Sequence, residues 1–229
     1  MKNIIIHNIP IEFERKRIKN MYLRILPPDG RVHISAPLKM SEEEIQRFVA
    51  AKAEWIRIQQ EKVGCRNIRE PLTYSEGEEI LIWGCSYRLT LRETTVHSRI
   101  EVIGDEVILY TKSNSSFKDR EKVMNEWYKK ALKTEIPFFL IRWEQRIGVK
   151  SNSYTIRNMK TRWGTCNIRT KNICLNLQLA KKQPKCLEYV VVHELVHLLE
   201  QSHNAVFKGY MDHFLPDWRR IKKVLNGSQ

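Results

Sequence analysis

The chain lacks the features of fibrous, membrane-embedded and disulfide-stapled proteins. Nine glycines and eight prolines in 229 residues are too few for a collagen-like or low-complexity sequence, and no internal repeat is visible. No segment approaches the roughly 18 consecutive apolar residues that a membrane-spanning helix needs. The start, Met1-Lys2-Asn3-Ile4-Ile5-Ile6-His7, offers a three-residue apolar run and no small-residue cleavage site, so no signal peptide is expected. The five cysteines (Cys65, Cys85, Cys166, Cys174, Cys186) are odd in number, irregular in spacing and form no C-x-x-C pair. That argues against a disulfide framework and against a closed structural zinc site. A reduced, cytoplasmic protein is the expectation.

Acidic residues are also in deficit. Forty Lys and Arg stand against 26 Asp and Glu, giving a formal charge of +14 and a pI near 9.6. Such a surplus favours anionic partners, including nucleic acid and nucleotides. The basic residues lie in short dispersed groups such as Arg15-Lys16-Arg17, Lys181-Lys182 and Arg219-Arg220. A generally solvated basic surface accounts for them equally well. Nothing in the sequence sets the oligomeric state.

Against this background one segment stands out: His193-Glu194-Leu195-Val196-His197-Leu198-Leu199-Glu200-Gln201-Ser202-His203. On a helix His193 and His197 share a face, about 6 Å apart along the axis. Two imidazoles so placed suit one small metal ion, with Glu194 beside them to take a proton from an activated water. The flanking Tyr189-Val190-Val191-Val192 and Leu195-Val196 make the helix apolar all round, hence buried. Buried imidazoles and a carboxylate need a partner that offsets their desolvation, and a metal is such a partner. The bland alternative is a pair of core histidines bonded to backbone carbonyls.

A third ligand completes the set. On a continuous helix His203 would lie about 15 Å from His193 along the axis, so it can join only if the helix ends and the chain turns back. Gln201-Ser202-His203-Asn204 is a suitable breaking point, with Ser202 or Asn204 able to cap a following helix. Glu200 is the rival, but at about 10 Å from His193 it is too far to share an ion without bending the helix. Three protein ligands leave one position for water or substrate, the mark of a catalytic zinc site. One zinc ion per chain, or another divalent metal, is therefore expected on His193, His197 and His203.

The texture of the chain changes once. Up to about residue 112 it reads as β-rich with one helix, and Lys112-Ser113-Asn114-Ser115-Ser116 is the expected boundary between residues 1–112 and 113–229. Residues 21–25 and 32–35 form a predicted hairpin around Pro27-Pro28-Asp29-Gly30. Ser41 and Glu44 form a predicted capping box for a helix through Phe48 and Trp55 towards Val63. Strands are predicted at 79–83, 87–92 and 107–111. Phe117 to about Ile147 reads as a long amphipathic helix that Pro137 should kink or interrupt and Gly148 should end. Residues 154–157 and 173–179 read as strands, and Pro184 as the first turn of the His193 helix.

Between those strands lies Thr161-Arg162-Trp163-Gly164-Thr165-Cys166. Here the chain resembles the YgjP-like metallopeptidase domain family, related to SprT-like and WLM zincins. The family's marks are an Arg-Trp-Gly-Ser-Cys stretch, a short Leu-Asn strand and His-Glu-x-x-His, followed by a third histidine six residues later and a Phe. They stand here as Arg162 to Cys166, Leu175-Asn176, His193 to His197, His203 and Phe207, with Pro216-Asp217-Trp218 closing the domain. Thr165 replaces the usual Ser and keeps the hydroxyl. The zinc spacing also matches metzincins, but Glu200 stands where they carry glycine. The likeness is strong from 155 to 218 and looser before, so one continuous family domain is an alternative to two halves.

The resemblance implies an α+β, zincin-like fold with a small antiparallel sheet over the helix that carries the histidines. It implies a zinc-dependent metallopeptidase-like hydrolase, with Glu194 as general base and Arg162 and Asn176 as further catalytic candidates. For both, a structural hydrogen bond is the competing reading. Some family members are credited with pyrophosphohydrolysis of nucleoside triphosphates such as UTP, so a nucleotide substrate is an alternative to a peptide. A DNA-associated protein of SprT-like kind is a third reading, weakened by the lack of a recognised DNA-binding module. The motif leaves the substrate open, because loops build the pocket that selects it.

Overall fold

The computed structural model describes residues 2–7, 9–26, 29–64 and 72–227. The chain divides into two compact units, Met1–Pro71 and Leu72–Gln229, each with its own core. The expected boundary at 112–116 is displaced, for a physical reason. Val107 and Leu109 of the strand before that loop are buried in the same core as Met124 and Tyr128 of the helix after it. A polar loop there connects two elements of one core.

In the first unit, β1 (Lys2–Ile6), β2 (Ile9–Lys16), β3 (Tyr22–Leu26) and β4 (Arg31–Pro37) form one sheet in the order β1-β2-β4-β3. The β3–β4 hairpin is as expected, although Pro27 and Pro28 lie outside the described residues. The Ser41–Glu44 capping box is present. The helix it starts is broken at Lys52 into α1 (Glu42–Ala51) and α2 (Ala53–Gly64), where the Lys52 N–H turns back to Val49 and Ala50. Ile11, Phe13, Val32, Ile34, Ile45, Val49 and Ile56 fill the core between sheet and helices.

The second unit begins with a sheet of identical strand pattern. β5 (Glu79–Ile82), β6 (Cys85–Glu93), β7 (Arg99–Ile103) and β8 (Glu106–Thr111) take the order β5-β6-β8-β7, again two antiparallel hairpin pairs joined by a parallel central pair. The topology thus repeats where the sequence shows no repeat. Next comes α3 (Phe117–Ile147), capped by Ser116 and Asp119 and ended by Gly148 at φ 78°. It runs through Pro137 without interruption. Met124, Tyr128, Leu132, Ile136, Leu140, Trp143 and Ile147 make one buried stripe along it. Burying one such side chain contributes about 1.5–3 kcal/mol. Seven together outweigh the roughly 3 kcal/mol cost of an internal proline.

β9 (Ser153–Arg157), β10 (Gly164–Asn167) and β11 (Asn172–Asn176) form a small sheet in the order β10-β11-β9. The β10–β11 pair is antiparallel, but β11 and β9 run parallel, so this sheet is mixed rather than antiparallel. The strand expected over 173–179 stops at Asn176, whose side chain accepts from the Gln178 N–H and starts a short 3-10 turn over Leu177–Lys181. Then follow α4 (Pro184–Val196), α5 (Ala205–Phe214) and α6 (Trp218–Leu225). Helix α4 is buried on all sides through Leu187, Val190, Val191, Val192, Leu195 and Val196. The architecture is α+β. Among the described residues no helix is long and apolar enough to cross a membrane.

Candidate metal centre

Three local devices bring the histidines together. Helix α4 ends one turn earlier than its sequence suggests: Val196 is its last residue and His197 its C-cap. The next bonds, Leu198 N–H to Leu195 O (3.0 Å) and Leu199 N–H to Val196 O (2.9 Å), tighten the chain into a turn. Glu200 then fixes the reversal, its carboxylate accepting from the Ser202 N–H and hydroxyl at 2.9 Å each. Asn204 caps α5 through the Phe207 N–H, 3.0 Å away, as the sequence suggested. His203 is thereby returned to the face of α4 that carries His193 and His197.

Each histidine offers a ring nitrogen, and the three lie within 4.8 Å of one another. His203 Nε2 is 2.9 Å from His193 Nε2. The Phe207 ring packs beneath the trio, its centroid 4.8–4.9 Å from all three imidazole centroids. His197 Nδ1 lies 3.2 Å from the Glu200 carbonyl, which turns its Nε2 towards the cluster. Glu200 belongs to the turn; among the described residues the histidines alone make up the cluster.

These donors fit a metal ion. Two nitrogens bound tetrahedrally to one zinc stand about 3.3 Å apart, given bonds of about 2.0–2.1 Å, close to the His193–His203 separation. All three imidazoles must be neutral to ligate, and burial does this for two of them. Burial, with His197, His203 and Lys222 nearby, pushes His193 down to about 3. Burial also lowers His197. His193 Nδ1 is buried with no hydrogen-bond partner among the described residues, so no backbone carbonyl holds the ring there as it would an ordinary core histidine.

Glu194 is 4% exposed, and burial raises its carboxyl to about 8 against the opposing pull of Arg162. Strand β10 lies against it at Gly164. A Cβ built there would stand 2.5 Å from Glu194 Oε1 and 2.9 Å from its Cγ and Cδ. Glycine at 164 is a steric requirement, one that a local reading of the Arg162–Cys166 stretch leaves hidden. Arg162 faces the same cleft, which also includes His193, Glu194, His197 and His203.

Asn176 does not line this cleft. Its side chain donates to the carbonyls of Met159 (2.8 Å) and Arg162 (2.7 Å) and accepts from the N–H groups of Met159 and Gln178. All its polar atoms are used in holding the loop that carries Arg162, which is the structural hydrogen bonding weighed against a catalytic role for it. Two residues missed in the sequence also border the cleft: Tyr189, stacked on Trp218, and Lys222 from α6. Only the packing of α6 on α4 places Lys222 there, and no local motif signals it. Cys166 borders the cleft too, and burial raises its thiol to about 11, which favours the neutral form. Among the described residues, Cys85, Cys166, Cys174 and Cys186 are all unpaired, while Cys65 lies outside them.

A family model described as the YgjP-like, metallopeptidase domain matches residues 19–228. Two solved structures are also similar in part. The metallopeptidase zymogen of Pyrococcus abyssi abylysin is 20% identical, covers 39% of this chain and 87% of its own, and gives a TM-score of 0.35. The metallopeptidase zymogen of Methanocaldococcus jannaschii jannalysin is 22% identical, with 42% and 95% covered and a TM-score of 0.33. No curated protein matches the chain.

Proposed function

The chain belongs to the YgjP-like metallopeptidase domain family, and on that premise we propose that it is a zinc-dependent hydrolase of peptide bonds. The observation that carries the proposal is the convergence of three imidazole nitrogens beside a buried carboxyl, at the edge of an open cleft of about 650 Å³. A volume of that size suits a ligand-binding cleft. His193, His197 and His203 would hold one divalent ion. Bound there, the ion supplies Lewis acidity, polarising a substrate carbonyl and making water acidic near neutral pH.

The chain's own residues do the rest. Glu194, buried beside the histidines and lining the same cleft, is positioned to accept a proton from the attacking water and pass it to the leaving amine nitrogen. Gly164 keeps β10 close to that carboxyl and limits the positions it can adopt. Arg162, whose charge acts on Glu194, is placed to stabilise negative charge developing on the substrate oxygen. Asn176 holds the Arg162 backbone, so the guanidinium projects from a fixed loop. Phe207 and the apolar face of α4 exclude water behind the histidines. The cytoplasm is the proposed compartment, on the strength of the unpaired cysteines.

The test is to offer the zinc-loaded protein unstructured polypeptides and nucleoside triphosphates side by side. Peptide cleavage supports the proposal. Turnover of triphosphate alone would replace it with pyrophosphohydrolysis at the same residues.

A further inference from the structure

The cleft beside the histidines continues into a second hollow across the outer face of the β9–β11 sheet. The two share Arg162, Thr165, Cys166, Ile168 and Gln201 along their borders. Their charge is one-sided. Arg157, Arg162, Arg169 and Lys222 line the combined surface, and the sole carboxylate there is Glu194. Among the described residues none of these four cations is in a close ion pair, and Arg162 acts on Glu194 from a distance.

The second hollow also has an ordered floor. Thr155, Cys174 and Thr165 stand opposite one another across the three strands, so they share one face. Arg157 is the last residue of β9. Arg169 sits in the β10–β11 turn, where Asn167 Oδ1 accepts the N–H groups of Arg169 and Thr170 at 3.1 Å each. Arg162 is held by Asn176 through its carbonyl. Three guanidinium groups beside two hydroxyls offer carboxylates the paired hydrogen bonds that arginine makes with them.

β10 decides what kind of molecule presents those carboxylates. It is the end strand of its sheet, paired on one side by β11, and Gly164, Thr165 and Cys166 border the metal-centre cleft. An end strand offers unpaired backbone groups to an extended chain. We infer that the protein selects acidic polypeptide segments, bound extended along β10 with Asp or Glu side chains against Arg157 and Arg169. This inference rests on the peptidase reading and names the substrate class for that site.

The test measures binding apart from turnover. Zinc-loaded full-length Glu194→Gln protein is titrated, by fluorescence anisotropy, with labelled peptides identical except for Glu, Gln or Lys at alternate positions. The Glu peptide should bind about tenfold or more tightly than the Gln peptide at low salt, with the difference shrinking as salt rises. Arg157→Gln with Arg169→Gln should abolish that preference while metal content and Gln-peptide affinity stay unchanged. Arg157→Lys with Arg169→Lys should restore part of it. Equal affinity for the Glu and Gln peptides, or a preference untouched by the Gln variants, overturns the inference. So does a nucleoside triphosphate that displaces the Glu peptide and depends on the same two arginines, since the groove would then be a phosphate site. The two readings fail separately: cleavage of all peptides alike by wild-type protein removes only the acidic selectivity. Charge-selective binding with no cleavage of any peptide removes only the hydrolase.

Discussion

Gly164 and Glu194 are in such close contact that no other residue fits at 164 while the Glu194 side chain keeps its place. A methyl group on Gly164 would lie 2.5 Å from Glu194 Oε1. The edge strand of the small sheet therefore acts as a wall for the proposed general base. Because the contact includes Glu194 Cγ and Cδ as well as Oε1, turning the carboxylate alone does not relieve the clash.

Gly164→Ala should consequently lower activity by about tenfold or more and destabilise the protein by about 1–3 kcal/mol, the usual cost of overpacking. Thermal unfolding and peptide hydrolysis, each with zinc content checked, measure the two effects. A variant with wild-type melting and turnover would show that the contact is slack.

His203→Ala should reduce zinc affinity by at least about tenfold, since it removes one of three ligands. Glu200→Ala should leave zinc bound, with a smaller loss traceable to the Ser202 turn it holds. Elemental analysis after dialysis against a graded chelator separates them. If Glu200→Ala loses the metal and His203→Ala keeps it, the third ligand is misassigned.

Asn176→Ala removes four hydrogen bonds to the backbone. It should cost at least about 1–3 kcal/mol, the price of leaving buried polar groups unsatisfied. Zinc should remain bound. Peptide turnover should fall mainly because Arg162 is less well placed, so Asn176→Ala and Arg162→Ala together should be less than additive. Full additivity would uncouple the two residues.

Glu78 supplies a prediction in pH. Burial raises its carboxyl, but bonds from the Thr73 hydroxyl and from the Thr73 and Tyr74 N–H groups outweigh that and hold it below the usual carboxylate range. A depressed folded value stabilises the protein above the unfolded value of 4.5, and the contribution is lost as pH falls through the folded one. The Glu78→Gln variant should therefore be less stable than wild type at pH 7, with the gap narrowing as pH falls below 4.5 and through the folded value. A gap that does not change with pH in denaturant titrations would locate the effect in packing rather than charge.

Much of the candidate site was legible because its signals are local. Two histidines four apart, an apolar helix around them, Asn204 as a cap and the capping box at Ser41 follow from spacing and side-chain type alone. Other features depend on what a segment packs against. β10 has only four residues, and its identity as a strand comes from pairing with β11. Residues 177–181 keep a strand-like alternation yet form a 3-10 turn, because Asn176 caps them. The boundary at Pro71 was missed because the polar loop at 112–116 looks like a linker, although the strand and helix it joins share a core. The Gly164–Glu194 contact and the arrival of Lys222 at the cleft join residues far apart in the chain, which no local pattern encodes.

The most direct test of the account compares zinc-loaded wild type with zinc-loaded Glu194→Gln on one polypeptide substrate, with metal content and folding measured in the same samples. Both proteins should hold about one zinc per chain and melt alike, while the variant should lose about 10²-fold or more in kcat for want of its general base. Undiminished cleavage by Glu194→Gln, or a wild-type protein that binds zinc and cleaves no peptide, would contradict it.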